Sequence, residues 1–296
     1  MKCSKCKRDA VLFQRYSGMH LCEEHFTIDL ETKVKKTIRK EGWIKSGDKI
    51  AVALSGGKDS TALLYFLKKT FAIRRDIEIF AVTIDEGISG YRDIKICENI
   101  AESGGVKFHT ASFKEHFGIT LNEIVQKKGD INSCSYCGVL RRQVLNKTAR
   151  DAGATKIAYG FNLDDEAQSV MMNVLRGDAV TLLRKEKPVL GMLPRIKPFK
   201  TIPEREIALY ARLHTEGYEE RGCPYSHNAL RADVRGILNQ YNYSHPATKY
   251  ALLNLGEKLK SGIPADNSGA ETCAACGEPV FGTCRVCGML KELKKE

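Results

Sequence analysis

The stretch AVALSGGKDSTALLYF, residues 51 to 66, constrains the fold more than any other part of the chain. An apolar run enters Ser55-Gly56-Gly57-Lys58-Asp59-Ser60, and a second apolar run, patterned as a helix, leaves it. Paired glycines there let backbone N–H groups approach phosphate oxygens, and the helix turns its positive end toward the same place. The alternation continues on either side. KIAVAL (49–54), IEIFAVTID (77–85), VKFHTA (106–111) and TKIAYGF (155–161) read as strands, with helices near 59–70, 91–103, 114–127 and 138–152. Such alternation predicts an α/β fold, a doubly wound, Rossmann-like parallel sheet with helices on both faces. Ligands of these sheets bind beyond the carboxyl ends of the strands. The loop at 55–60, IDEG at 84–87 and GFNLDDEA at 160–167 all follow predicted strands and can converge on one crevice.

Two kinds of glycine loop imply different chemistry. A Walker loop needs G-x4-G-K-[ST], its hydroxyl holding magnesium. Here Gly57-Lys58 is followed by Asp59, and Val52 stands where the first glycine belongs. A dinucleotide fingerprint G-x-G-x-x-G also fails. What remains is S-G-G-x-D-S, with Ser55 and Ser60 as hydroxyl donors and Asp59 as a magnesium ligand, since a bare carboxylate would repel phosphate. This is the pattern of the PP-loop ATP pyrophosphatases, which cut ATP between the α and β phosphates.

Eleven cysteines in a chain with no apolar signal region at Met1-Lys2-Cys3-Ser4-Lys5-Cys6 suggest metal or redox sites in the cytosol rather than disulfides. No apolar run approaches the ~18 residues of a membrane span. Cys3, Cys6, Cys22 and His25 (C-x2-C-x15-C-x2-H) and Cys273, Cys276, Cys284 and Cys287 (C-x2-C-x7-C-x2-C) each supply four zinc ligands. Each module is too short to bury a core, so metal should supply much of its folding energy. Cys134, Cys137 and Cys223 form a third group of only three, and three thiolates leave a metal position open. A [4Fe–4S] cluster with one free iron, a three-cysteine zinc and a redox trio all fit that count. Cys97 reads as a buried structural thiol.

These signals divide the chain into an N-terminal zinc module (1–27), a catalytic domain (28–262), and a linker with a C-terminal zinc module (263–296). After Arg176 the chain is basic and punctuated by proline, read as an irregular connection followed by helices at 203–216, 229–241 and 246–261. A helix over 27–42 carries Lys33, Lys35, Lys36, Arg39 and Lys40 on one face. With a formal charge of +11 the chain favours a polyanion such as nucleic acid, and this face, the 184–200 segment and the two zinc modules are the candidates for gripping its phosphates.

The loop, the C-x2-C with its later lone cysteine, GFNLDDEA, LPRIKPF and the two terminal modules together resemble the tRNA 2-thiouridine synthetases. These are the TtuA and TtcA group of PP-loop enzymes together with the wobble-uridine thiolases. The resemblance runs over nearly the whole chain; the paired terminal modules are similar to those of TtuA and the wobble-uridine thiolases, since TtcA-type enzymes lack the pair, and the chain looks closest to TtuA. It implies a tRNA uridine 2-sulfurtransferase that adenylates the uridine O2 with ATP and magnesium and then exchanges oxygen for sulfur. It further implies a [4Fe–4S] cluster on Cys134, Cys137 and Cys223, sulfur from a ubiquitin-like carrier bearing a C-terminal thiocarboxylate, and a homodimer. Carried onto this chain, Ala53, Leu54, Ser55, Gly56, Gly57, Asp59 and Ser60 hold ATP, and Thr83 and Ile84 border the adenine. Gly160, Asp164 and Asp165 lie at nucleotide- and catalysis-linked positions, with Asp165 the favoured essential residue and Asp164 alternatively a helix cap. Lys58 and Arg141 offset phosphate charge. The compact, charge-rich chain favours uridine 54 of the T loop over wobble uridine 34. Against this stand an amide-forming PP-loop ligase, which needs no core thiols or basic surface, and a zinc-finger RNA-binding protein with a vestigial ATP site.

Overall fold

The computed structural model describes residues 1–183, 191–226, 230–261 and 271–294. A hairpin of β1 (Leu12–Gln14) and β2 (Met19–Leu21) precedes α1 (Glu23–Lys40), and β3 (Lys49–Ala53) runs into α2 (Lys58–Phe71). Next come β4 (Glu78–Asp85), α3 (Ile94–Ser103), β5 (Phe108–Ser112), α4 (Phe113–Phe117), α5 (Leu121–Lys128) and α6 (Ser133–Asp151). β6 (Lys156–Ala158), α7 (Leu163–Leu175), α8 (Ala179–Leu183), β7 (Arg195–Ile196) and α9 (Glu204–His214) follow. α10 (Leu230–Ser244) and α11 (Thr248–Ser261) lead to β8 (Glu271–Thr272), β9 (Pro279–Val280) and α12 (Arg285–Lys294).

The central sheet has the order β5-β4-β3-β6-β7, and every pairing in it is parallel. The chain builds outward from β3 to one side, then returns to add β6 and β7 on the other. The reversal between β3 and β6 opens a crevice at their carboxyl ends, where the glycine loop lies. The inner strands β3 and β4 read as continuous apolar runs because both faces are covered. Alternate residues of β3 show this: Ile50 and Val52 join the core with Leu63, Phe66 and Phe199, whereas Ala51 joins Phe80, Leu140 and Val144 on the other face. Full burial of side chains such as Leu63, Phe66 and Leu67 on α2 contributes about 1.5–3 kcal/mol each.

The helix expected over 114–127 is two helices. Gly118 adopts φ 71° and ends α4, and Thr120 and Glu123 form a capping box that starts α5. The segment read as irregular contains β7, which pairs at the sheet edge with Ile157 and Ala158. Pro194 and Pro198 flank it, and an edge strand tolerates the lost donors.

Neither terminal module stands apart. α1 starts at Glu23, inside the expected N-terminal module, and Leu21 and Phe26 belong to the same core as β3 and α2. Val286 and Leu293 of α12 pack into the core behind α6. The start of the expected linker, 263–270, lies outside the described residues, as does 184–190 of the basic segment. Among the described residues, no helix is long and apolar enough to cross a membrane.

Candidate active site and metal centres

The loop between β3 and α2 is held by its own hydroxyls. Ser60 Oγ accepts from the Ser55 backbone N–H at 3.0 Å and donates to the Gly57 carbonyl at 3.1 Å, and Thr61 Oγ1 donates to the same carbonyl. Gly56 sits at φ 78°, where a Cβ would approach the buried Cys97 sulfur to 3.1 Å. Cys97 is thus the structural thiol expected, shaped to the loop. Thr83, fully buried, donates to the Leu54 carbonyl at 2.7 Å, so its hydroxyl secures the strand end. From the far side, the Glu219 N–H donates to the Gly56 carbonyl at 2.8 Å and brings the chain leading to Cys223 over the loop.

Asp59 uses one oxygen to accept from Lys58 Nζ at 3.1 Å, while its Oδ1 is buried and makes no hydrogen bond. Burial pushes its carboxyl above the ordinary value, against the pull of Lys58. Lys58 is shared with Glu204 of α9 at 3.0 Å. Asp165 completes the group. Burial pushes it up to about 6; the Asn162 N–H and Arg231 oppose the rise, and Asp59 and Glu204 add to it. Buried carboxyls that resist ionisation and an orphaned acceptor suit a divalent cation at the phosphates, which the Asp59 side chain could ligate.

The two aspartates of GFNLDDEA have different work. Asn162 caps α7 and forms a capping box with Asp165, so the cap considered for Asp164 belongs to its neighbour. Asp164 is buried, pairs with Lys249 of α11 and accepts from the Glu204 N–H at 2.9 Å, tying three helices together. Gly160 has a packing reason. A Cβ there would lie 2.9 Å from the Asp59 backbone carbon and 3.0 Å from the Ser60 nitrogen, so only glycine lets the end of β6 lie against the loop.

Cys134 and Cys137, expected in a loop opening a helix, occupy the first turns of α6 itself. Cys134 Sγ donates to the Tyr225 carbonyl at 3.6 Å, which draws in the segment bearing Cys223. Burial pushes the Cys137 thiol up to about 11, opposed by Arg141, with Glu86 and Cys223 raising it further. Arg141 therefore stands beside the cysteines, where its Nη1 meets Glu86 at 3.3 Å.

The geometry separates the three cysteine groups. A tetrahedral ion with Zn–S bonds of about 2.3 Å sets sulfur pairs about 3.8 Å apart. Cys6 and Cys22 lie at 3.7 Å, and the pairs Cys273–Cys287 and Cys276–Cys284 both at 3.8 Å. His25 Nδ1 lies 3.6 Å from Cys3 and 3.2 Å from Cys22. Both terminal quartets place all four ligand atoms within 4.8 Å of one another, and the central trio does not. Two sulfurs on one ion cannot be farther apart than twice the bond, about 4.6 Å. As arranged, the trio suits a group larger than a single ion.

Sequence reasoning missed Glu86 and Glu204. Glu86 is 1 % exposed between Arg92 and Arg141, and Glu204 holds Lys58. IDEG contained the first as one residue of a loop; Glu204 carried no signal beyond its place at a helix start.

A strand–loop–helix of this kind at the reversal point of a parallel sheet defines a PP-loop nucleotide-using protein, and residues 26–241 match the PP-loop domain profile. Residues 2–27 match the N-terminal LIM domain of 2-thiouridine synthetase TtuA. The tRNA 2-thiolation protein NcsA of Haloferax volcanii is 33 % identical, with 99 % of each chain covered. Cytoplasmic tRNA 2-thiolation protein 1 of Caenorhabditis elegans is 36 % identical over 98 % of this chain and 80 % of its own. The solved structure of the U34-tRNA thiolase NcsA from Methanococcus maripaludis with its [4Fe-4S] cluster superposes with a TM-score of 0.86. It is 34 % identical, covering 99 % of this chain and 96 % of that one. The chain belongs to the tRNA 2-thiolation family of PP-loop proteins.

Proposed function

We propose that this protein is an ATP-dependent tRNA uridine 2-sulfurtransferase of the cytoplasm. The observation that carries the reading is the Asp59 carboxylate at the glycine loop, whose Oδ1 is buried without a partner, in a chain that matches a U34-tRNA thiolase solved with its [4Fe-4S] cluster over almost its whole length. The loop N–H groups and the start of α2 hold the β and γ phosphates, and Lys58 offsets their charge. Asp59 would ligate magnesium, which would add to that charge balance when bound, and Asp165 would support it. The uridine O2 attacks the α phosphorus, the bond to the bridging oxygen of the β phosphate breaks, and pyrophosphate leaves. O2 is then part of an AMP ester, a far better leaving group. A sulfur nucleophile adds at C2 and AMP departs with the oxygen. The base must first unstack, at a cost of a few kcal/mol. Cys134, Cys137 and Cys223 would hold a [4Fe–4S] cluster, which supplies the sulfur-carrying centre when bound. Arg141, anchored by Glu86, keeps a positive charge beside those thiols. The terminal quartets would hold two structural zinc ions. The family resemblance further implies a ubiquitin-like thiocarboxylate carrier as sulfur donor and a homodimer.

For the target, wobble uridine 34 is supported by the U34-tRNA thiolase that matches over almost the whole chain. Uridine 54, favoured by compactness and charge, retains the support of the TtuA-type N-terminal domain. The test is anaerobic reaction of reconstituted protein with unmodified tRNA, followed by mapping of 2-thiouridine in nuclease fragments. Thiouridine at 34 supports the first reading and at 54 the second. Its absence with ATP, magnesium and a sulfide source present removes both.

A further inference from the structure

Three arginines gather with no anionic partner among the described residues. Arg142 lies on α6, Arg195 on β7, and Arg285 at the start of α12, between the zinc-quartet residues Cys284 and Cys287. All three are exposed, and none has a hydrogen bond or ion pair among the described residues. Their proximity follows from the packing. One turn beyond Arg142 on the same face of α6, Asn146 donates to the Gly191 carbonyl at 3.0 Å and accepts from the Leu193 N–H at 2.9 Å. That contact aligns the strand carrying Arg195 with the helix. α12 lies along α6 as well: Tyr136 meets Glu292 at 3.4 Å, which sets Arg285, two turns back on α12, toward Arg142. Partial desolvation, then the charges of Arg195, Arg141 and Arg285, hold the Arg142 guanidinium below its ordinary value.

Most other cations around the crevice have partners. Lys58, Lys197, Lys200 and Lys249 meet carboxylates within or near 3 Å, and Arg150 makes a two-pronged pair with Glu278. In the basic segment expected to grip RNA, Lys197 and Lys200 are thus already committed. Beside the unpaired group, Tyr159 and Phe161 stack at 5.3 Å and 5°, and Phe161 is 42 % exposed at the carboxyl end of β6. Lys197 Nζ lies over the Phe161 ring at 5.8 Å, so this stack adds to the positive face, and exposed like charges placed together repel unless an anion joins them.

We propose that Arg142, Arg195 and Arg285 form a backbone-phosphate clamp for the tRNA, with Arg285 contributed by the C-terminal cysteine module. The inference rests on the tRNA reading above. It gives that module a direct role in holding RNA in addition to packing on α6.

The test is tRNA binding to the full-length protein across a salt series, for wild type, Arg142→Ala, Arg285→Ala and the triple alanine variant. Each removed phosphate contact should make the log–log salt slope shallower by about 1, so the triple variant should lose about 3. ATP binding and zinc content should be unchanged. Removing mutually repelling charges should not lower the melting temperature, and Arg→Lys at the three positions should keep the slope. Arg74→Ala, which removes an exposed arginine already paired with Asp76, serves as the control and should change nothing. A wild-type slope in the folded triple variant overturns the clamp while leaving the tRNA reading intact. Loss of ATP binding in place of tRNA binding, or loss only of binding to a polyglutamate probe, also overturns it by assigning the group to nucleotide or to a protein partner. Wild-type protein that does not bind tRNA removes the clamp together with the reading beneath it.

Discussion

Asp165→Asn should make the ligand-free protein more stable at neutral pH while impairing pyrophosphate release. The Asp165 carboxyl stands at about 6 in the folded chain, chiefly because burial disfavours its charge. An unfolded aspartate titrates near 3.9. A raised carboxyl binds its proton more tightly when folded. Its contribution to stability is therefore complete below about pH 4 and is lost as pH climbs through about 6. The separation corresponds to about 3 kcal/mol in total, of which about 1.4 kcal/mol falls between pH 5 and pH 8. The side chain is 24 % exposed, so solvent screening leaves about 1 kcal/mol in that interval. Asparagine keeps an acceptor for the Asn162 N–H, which Asp165 meets at 3.1 Å, so the cap of α7 survives. The 3.7 Å contact with Arg231 is lost at small cost. Thermal melts of both proteins at pH 5 and pH 8 should show the variant's advantage growing by about 2–4 °C with pH. An advantage that is flat with pH, or that shrinks toward pH 8, refutes the claim that Asp165 is held as a strained carboxyl.

Three further outcomes follow from the same site. Asp59→Ala should depress pyrophosphate release by about 10²–10³, the usual cost of one preorganised charge contact, with the circular dichroism spectrum unchanged. Gly160→Ala should force the end of β6 off the Asp59 backbone; denaturant melts should show a loss of about 1–3 kcal/mol, and ATP affinity should fall with it. Cys223→Ala, purified and reconstituted anaerobically, should lose iron yet retain two zinc ions by elemental analysis, because both terminal quartets, the proposed zinc sites, are complete without it.

Much of this arrangement was legible in the sequence, for local reasons. β3 and β4 announced themselves because strands buried on both faces are continuously apolar, and the glycine loop because its residue types have one economical use. The four-ligand spacings stood out because a tetrahedral ion demands them. Other features depended on contacts that spacing does not encode. β7 was hidden by its prolines, and the split of the 114–127 helix turned on the left-handed Gly118. Lys58 and Glu204 are 146 residues apart, and Arg141 and Glu86 are 55 apart, so neither partnership could be read along the chain. The assignment of the cap to Asn162 needed the observed hydrogen bonds, since three polar residues in GFNLDDEA compete for it. The resemblance places Gly160 at a nucleotide-linked position, and the structure adds a backbone-packing role against Asp59 that spacing does not encode.

The central claim is that the Ser55–Ser60 loop cuts ATP between its α and β phosphates in order to activate RNA. ATP labelled separately at the α and γ phosphates, incubated with the protein, magnesium and tRNA, tests it directly. The account predicts AMP and pyrophosphate in equal amounts, formation that depends on tRNA, and an α-labelled RNA intermediate when sulfur is withheld. Products dominated by ADP and inorganic phosphate, or pyrophosphate release indifferent to tRNA, would contradict it.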